Sequence, residues 1–380
     1  MQMTSKLPDV GVTIFSVMTQ LANSAGAINL SQGFPDFDPA PEIIDGIGAH
    51  MRAGHNQYAP MQGVLALREK IAEKARRLYG AVYDPATEIT VTSGATEALY
   101  AAITAVVRPG DEVIIVEPAY DAYVPVVTLN GGIPVFTSYH YPDYRVDWDH
   151  VKSIITPRTR LMILNSPHNP TGAVWTEADV AALEDLAAAH PFFIVSDEVY
   201  EHIIFDGRPH HSMSAVPALA ERSFVIGSFG KTFHATGWKV GYCLAPAPLT
   251  REFQRIHQYL TFATNTPVQM ALADALAAPF HYLDLPAFYQ KKRDRFLALT
   301  AASRLKPLPC SGTYFAMMDY SAVSRDPDTV FARRITEVHK VAAIPPSVFY
   351  HDGEDNRVLR FCFAKNDDTL EAAAERLCRI

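Results

Sequence analysis

The sequence predicts an α/β protein built on a mostly parallel sheet, and three observations carry that prediction. From about residue 89, short apolar runs recur without polar alternation, at 89–91, 113–116, 161–164, 192–195, 224–226 and 240–244. Helical patterns such as 95–107 and 177–189 lie between several of them. Strands that are apolar on both faces and separated by helices belong to a sheet covered on both sides. The third observation is length, because 380 residues exceed what one small core organises. Two domains are expected: a large one over 46–280 and a smaller α+β one from 1–45 together with 281–380.

In chain order, residues 11–30 read as a helix, with Ile14, Phe15, Met18 and Leu21 at helical spacing. The stretch 31–39 is rich in turn formers yet carries Phe34 and Phe37. Composition favours a packed surface loop there; the functional reading is a loop that lines something. The strand and helix rhythm follows. Beyond it, 289–303 and 330–338 read as helices, 357–363 as an alternating half-buried strand and 369–377 as a terminal helix. Arg360 inside that apolar strand is unusual, since an unpaired buried guanidinium is costly. It is either a structural ion pair or a fork for a substrate carboxylate.

Composition excludes several function classes. Hydrophobic residues make up 48% and charged residues 19%, as in a globular protein with ample core material and little disorder. A formal net charge of −8 leaves no basic footprint for nucleic acid. The four cysteines, Cys243, Cys310, Cys362 and Cys378, are scattered and form no Cys-x-x-Cys pair, so neither a metal site nor a disulfide framework is expected. His210 and His211 read as a solvated pair rather than as metal ligands. Residues 1–10 hold no apolar signal core and no stretch reaches membrane-spanning length, so the expectation is a cytoplasmic protein without a membrane partner.

In a sheet of this type ligands bind beyond the carboxyl ends of the strands, so the residues that follow each run carry the chemistry. After the first come Ser93, Gly94 and Ala95, a small-residue turn opening a helix whose free amides suit a phosphate. Tyr120 and Tyr123 follow the second run, and Asn165 and Asn169 follow the third within a proline-rich turn. Asp197 and Tyr200 follow the fourth, and Ser228 and Lys231 the fifth, with Lys239 shortly after. A lysine just past a buried strand is a candidate imine former. Gly230-Lys231-Thr232 also invites a nucleotide phosphate loop, but the glycine that motif needs five residues before Gly230 is Val225. Each turn alone has an ordinary structural explanation; together they supply a phosphate cradle, an aromatic plate, an amide, an acid, a phenol and an amine. Pyridoxal phosphate needs that set.

These residues resemble the fold type I pyridoxal-phosphate aminotransferases of class I/II, and within them the methionine aminotransferases and the kynurenine or glutamine transaminases. The resemblance rests on 29–36, 165–172, 196–200 and 228–232 and runs from Gly11 to Leu377. It implies a mostly parallel seven-stranded sheet in the large domain. It further implies that Lys231 holds the cofactor as an imine, that Asp197 pairs with the pyridine nitrogen and that Tyr120 stacks on the ring. Asn169 and Tyr200 would bond the phenolic oxygen. The phosphate would lie on Ser93, Gly94 and Ala95, closed by Ser228 and Lys239, with Tyr58 reaching the phosphate of the neighbouring subunit of a homodimer. Arg360 would take the substrate carboxylate, helped by Asn165 or Asn169 and by the backbone of Gly33.

Lys231 would then act as both nucleophile and general base. A candidate pocket lining of Ile14, Phe15, Phe34, Tyr120 and Tyr123 points to apolar, aromatic or sulfur-containing donors, with a 2-oxo acid as acceptor. Methionine comes first by resemblance, then aromatic amino acids, kynurenine and glutamine. A carbon-sulfur beta-lyase would use the same cofactor residues, and release of pyruvate and ammonia from cystathionine separates the two. A non-enzymatic regulator would append a basic DNA-reading module, for which the chain has no spare segment.

Overall fold

Each of the six apolar runs becomes a strand because its valine, isoleucine and phenylalanine side chains find cover on both faces. The computed structural model describes residues 3–278 and 280–380. Its strands, in chain order, are β1 (Ile28–Asn29), β2 (Ile89–Thr92), β3 (Glu112–Glu117), β4 (Ile133–His140), β5 (Arg145–Val146), β6 (Thr159–Asn165) and β7 (Phe193–Asp197). They continue with β8 (Ser223–Ser228), β9 (Gly241–Leu244), β10 (Lys306–Pro307), β11 (Phe315–Asp319), β12 (Val341–Ala342) and β13 (Val358–Cys362). The main sheet runs β2-β9-β8-β7-β6-β3-β4-β5. Strands β8, β7, β6, β3 and β4 pair in parallel, while β9 is antiparallel to both β2 and β8. The sheet thus has eight strands: the seven that the resemblance implies and the two-residue β5, which adds an antiparallel edge to β4.

Side chains alternate between two cores, as the strand pleat requires. Val113, Ile115, Ile163, Val195 and Phe224 pack under the helices Gly94–Val106 and Ala247–Leu260. Ile114, Met162, Leu164, Ile194 and Val225 face the larger core, which continues into the small sheet. β4 is the parallel strand of the main sheet that the apolar runs do not include. Ile133 is exposed and Pro134 follows it, and such a residue pair marks an edge rather than a two-sided core. The parallel strands deliver Thr92, Glu117, Asn165, Asp197 and Ser228 to one edge.

The second group of elements closes over that edge. β11 lies between β10 and β13, and Met317 stands opposite Arg360. β13 is buried along its whole length rather than alternating, a correction to the half-buried expectation. Phe361 meets Phe296 of the helix Leu285–Leu299, and Arg360 on the other face lies 3.9 Å from the Phe315 ring centroid. The Cys362 amide donates to Leu30 O at 2.8 Å, which brings the 31–39 loop alongside β13. The first helix is Ile14–Ala25, shorter than the 11–30 read from the sequence, because Thr13 caps it and the chain enters β1 soon after Gly26.

The turn after β7 is pinned from behind the sheet. Glu201 Oε1 takes Lys74 Nζ at 2.5 Å and the Tyr242 hydroxyl at 2.7 Å, and Oε2 takes the Tyr79 hydroxyl at 2.5 Å. Glu198 accepts from Ser196 and from the Met213 amide, and meets His210 at 2.8 Å. Removing one partner of a buried ion pair strands the other charge. Glu201→Gln is expected to cost about 3–5 kcal/mol of folding stability, whereas replacing both Lys74 and Glu201 by methionine should cost much less. Denaturant unfolding of both variants checks this.

Candidate active site

A cleft of about 240 Å³ opens where the strand ends, the 31–39 loop and β13 meet. Lys231 reaches its floor from the one-turn helix Phe229–Thr232, which starts directly after β8. The amine donates to the Tyr314 hydroxyl at 2.8 Å and to Gly33 O at 3.1 Å. Burial draws its pKa down to about 8 from the ordinary 10.5, with Arg360 adding to that and Asp197 opposing it.

Asp197 ends β7 and is 4% exposed. Burial pushes its carboxyl up to about 6, although the Tyr123 hydroxyl, donating at 2.7 Å, and the Val199 amide pull the other way. Tyr200 is buried beside it and sits edge-on to Tyr314 with centroids 5.1 Å apart; burial raises its phenol above the usual tyrosine range. Asn165 donates to Asp197 O and accepts the Asn169 amide, both at 2.8 Å. Asn165 therefore borders the cleft, but both ends of its side chain brace the turn rather than face a substrate.

Arg360 is fully buried, and burial lowers its guanidinium to about 10. Nη1 donates to Asn169 Oδ1 and Nη2 to Ser31 O, both at 2.8 Å, while Nε has no hydrogen-bond partner among the described residues. Arg360 forms no salt bridge among the described residues, so the structural ion pair is absent. A buried cation with open hydrogen-bonding capacity calls for an anion from outside.

At the opposite end, Gly94, Ala95 and Thr96 open the helix Gly94–Val106 toward the cleft, with Ser228 and Lys239 bordering it. Gly241 makes this approach possible, since a Cβ there would stand 2.8 Å from Ala95 N and 2.8 Å from Gly227 O. Ser93 corrects the expected cradle. Its amide donates to Glu97 Oε2 at 2.9 Å, and it does not border the cleft. Glu97 is in turn held by His257 Nδ1 at 2.7 Å. The free amides of the first helical turn thus begin at Gly94.

Phe15, Gly33 and Tyr120 also border the cleft, and the Tyr120 hydroxyl bonds Thr96. Tyr123 does not. It begins the helix Tyr123–Leu129, which turns its ring beneath Asp197 and away from any substrate. Ile14 and Phe34 stay outside the lining as well, with Phe34 lying under Lys365 Nζ at 4.9 Å. Tyr58 is 84% exposed and stands edge-on to Phe262 on the surface. Sequence reasoning missed Tyr314, Phe315 and Thr96. Thr96 was within reach, as the next residue of the same helix N-terminus.

An amine, a buried acid, a phenol, an amide and a helix N-terminus around one cleft fit a pyridoxal-phosphate site, and the unpaired Arg360 fits an amino acid's carboxylate. The chain matches the family described as aminotransferase class I and II over residues 25–377. It belongs to that family. The aminotransferase is 55% identical over 374 residues to the methionine aminotransferase of Escherichia coli K12, covering 98% of this chain and 97% of that protein. It is 34% identical to a Dictyostelium discoideum kynurenine–oxoglutarate transaminase, over 97% of this chain and 94% of the other. Among solved structures, an Escherichia coli protein identified by structure and reactivity as a methionine aminotransferase superposes with a TM-score of 0.98 at 54% identity, covering 100% of both chains. A Thermus thermophilus aspartate aminotransferase solved with maleate gives a TM-score of 0.91 at 29% identity over 100% of both chains. The aminotransferase is thus a pyridoxal-phosphate enzyme of fold type I.

Tyr123 has a measurable consequence. A hydrogen bond to the charged form of Asp197 favours ionisation, so Tyr123→Phe should move the Asp197 pKa upward by about one unit. In the cofactor-free protein the pH at which affinity for pyridoxal phosphate rises should move upward by the same amount, read by equilibrium titration between about pH 5 and 8.

Proposed function

We propose that the enzyme transfers the amino group of methionine to a 2-oxo acid and accepts aromatic amino acids, kynurenine and glutamine as slower donors. The cleft wall carries this reading. Phe15 and Phe315 lie against Arg360, Tyr120 and Leu99 add further apolar lining, and Lys231 and Lys239 are the other cations among the lining residues. Neither lysine is placed to grip a second substrate carboxylate, as an acidic donor would require. The methionine aminotransferase of Escherichia coli is the relative that supports the choice of donor.

In this reading Lys231 would hold the cofactor, Asp197 would be the partner of its pyridine nitrogen and Tyr120 would offer the aromatic face for its ring. Pyridoxal phosphate supplies an aldehyde for the incoming amine and a ring that accepts the electrons left by a departing alpha proton. Tyr200 would donate to the phenolic oxygen together with the Asn169 side-chain amide, whose carbonyl end is already held by Arg360. Gly94, Ala95, Thr96, Ser228 and Lys239 receive the phosphate. Arg360 grips the substrate carboxylate and so fixes the alpha carbon. The Lys231 amine would be the group that accepts the alpha proton and gives it back, so one residue would serve both halves of the shift.

Catalysis in this proposal takes place in a homodimer, with Tyr58 from each subunit reaching its neighbour's phosphate. The exposed Tyr58, Tyr259 and Phe262 offer apolar surface for that contact. The four cysteines are all free, as a reducing cytoplasm would leave them. A donor panel against one oxo acid tests the substrate. Methionine should show the highest kcat/KM and aspartate a value lower by roughly two orders of magnitude. Aspartate as best donor would overturn the pocket assignment.

A further inference from the structure

Lys231 is held by a group outside the cofactor set. Its Nζ donates to the Tyr314 hydroxyl at 2.8 Å and to Gly33 O at 3.1 Å, and the Tyr314 hydroxyl itself donates to Gly33 O. Tyr314 is fully buried, wedged between Tyr200, Tyr289 and Phe315 with centroids 5.1, 5.8 and 4.9 Å away. Gly33 comes this close because it lacks a side chain, since a Cβ there would lie 2.8 Å from Phe315 Cζ. The Tyr200 and Tyr314 rings each stand 5.4 Å from the nitrogen.

The hydrogen inventory gives this triangle a direction. A neutral amine has two N–H groups and one lone pair. Both N–H groups are taken here, one by Tyr314 and one by Gly33. The tyrosine proton is committed to Gly33 O, so Tyr314 only accepts from the amine and does not protonate it. The lone pair is left to point away from Tyr314 and Gly33, into the cleft.

We infer that Tyr314 is a positioning residue for proton transfer: with the Gly33 carbonyl it holds the uncondensed Lys231 amine so that its lone pair faces the substrate's alpha carbon. This rests on the reading of Lys231 as the cofactor-bearing base. The charged and titratable groups that face the amine, apart from Tyr314 itself, are Arg360, Asp197, Lys239, Cys362 and Tyr200, and Tyr314→Phe leaves each of these side chains in place. It removes one oxygen that accepts from the amine. An acceptor favours the protonated form, so its loss lowers the pKa of Lys231.

Two readouts in the full-length chain test the inference. In the cofactor-loaded enzyme, the half reaction with L-methionine and with its alpha-deuterated form is followed by the cofactor absorbance. In the cofactor-free chain, acylation of Lys231 by acetic anhydride is followed against pH by mass spectrometry. Tyr314→Phe should slow the half reaction by about ten-fold, leave KM unchanged and raise the deuterium effect. The acylation midpoint should fall by about one pH unit. Tyr289→Phe is the control, because it loses a bond of 2.9 Å to His234 in the same aromatic cluster without touching the amine. It should lower thermal stability and leave both readouts at their original values. Wild-type kinetics and midpoint in Tyr314→Phe, or changes matched by Tyr289→Phe, would reduce Tyr314 to a packing residue and overturn the inference. Acylation needs no bound cofactor, so it decides the matter even if Tyr314→Phe loads poorly. A cofactor absorbance that persists in Lys231→Ala would instead overturn the reading of Lys231, a distinguishable failure.

Discussion

Lys231→Ala is expected to lower turnover by roughly four orders of magnitude and to remove the absorbance of the lysine-bound cofactor. Two functions are lost together. In the proposed reading the amine that would anchor the cofactor disappears, and with it the base that would move the alpha proton. The environment explains why this lysine suits the task. Burial brings its pKa from 10.5 to about 8, which raises the free-amine fraction at neutral pH by roughly 300-fold, since each unit is a factor of ten. Lys231→Arg should be as inactive as alanine, because a guanidinium does not release its proton in this range. Rapid-mixing measurement of the half reaction with methionine checks both variants, and wild-type rates in either would refute the assignment.

Asp197→Ala should slow alpha-proton removal on the order of 10³-fold, as expected when a charge placed for the transition state is lost. In the proposed reading the carboxylate would act by keeping the pyridine nitrogen protonated, so that the ring can accept electrons. Its own ionisation sets a pH requirement. In the cofactor-free protein Asp197 holds its proton up to about 6 instead of the ordinary 3.8, chiefly because it is buried. A carboxyl whose folded pKa is raised stabilises the fold below pH 3.8, and that contribution is lost as pH rises through about 6. Cofactor binding runs in the opposite sense, because the pyridinium partner needs the charged form. Affinity for pyridoxal phosphate should therefore rise as pH climbs through about 6, and in Asp197→Ala this rise should disappear. Equilibrium titration of the cofactor-free enzyme at several pH values measures it, and an unchanged pH dependence in the variant would refute the role.

Much of the site was legible because parallel strands end at one edge, so residues just past each apolar run are brought together by the fold itself. Asp197, Tyr200, Ser228 and Lys231 were found in that way. The errors are equally specific. Tyr123 follows the same strand as Tyr120, and only the start of a helix at Tyr123 turns it under Asp197. Ser93 has the right composition for a phosphate turn, but Glu97, four residues on, takes its amide. Tyr314 lies 83 residues from Lys231 in the chain, and nothing in the local pattern of 312–315 marks it as the lysine's partner.

The sequence by itself determined the class of sheet, six of its strands and which amine and acid stand at the strand edge, because two-sided apolar periodicity and strand-end position are local properties. Tertiary structure alone decided which partner each polar group takes. Among the described residues Arg360 has no carboxylate partner and is held by Ser31 O, 329 residues away, while Lys231 is tied to Gly33 across 198 residues. Such partners are set by how β13 and the 31–39 loop close over the sheet. Hydrogen bonds act over about 3 Å, a range in which sequence separation carries no information.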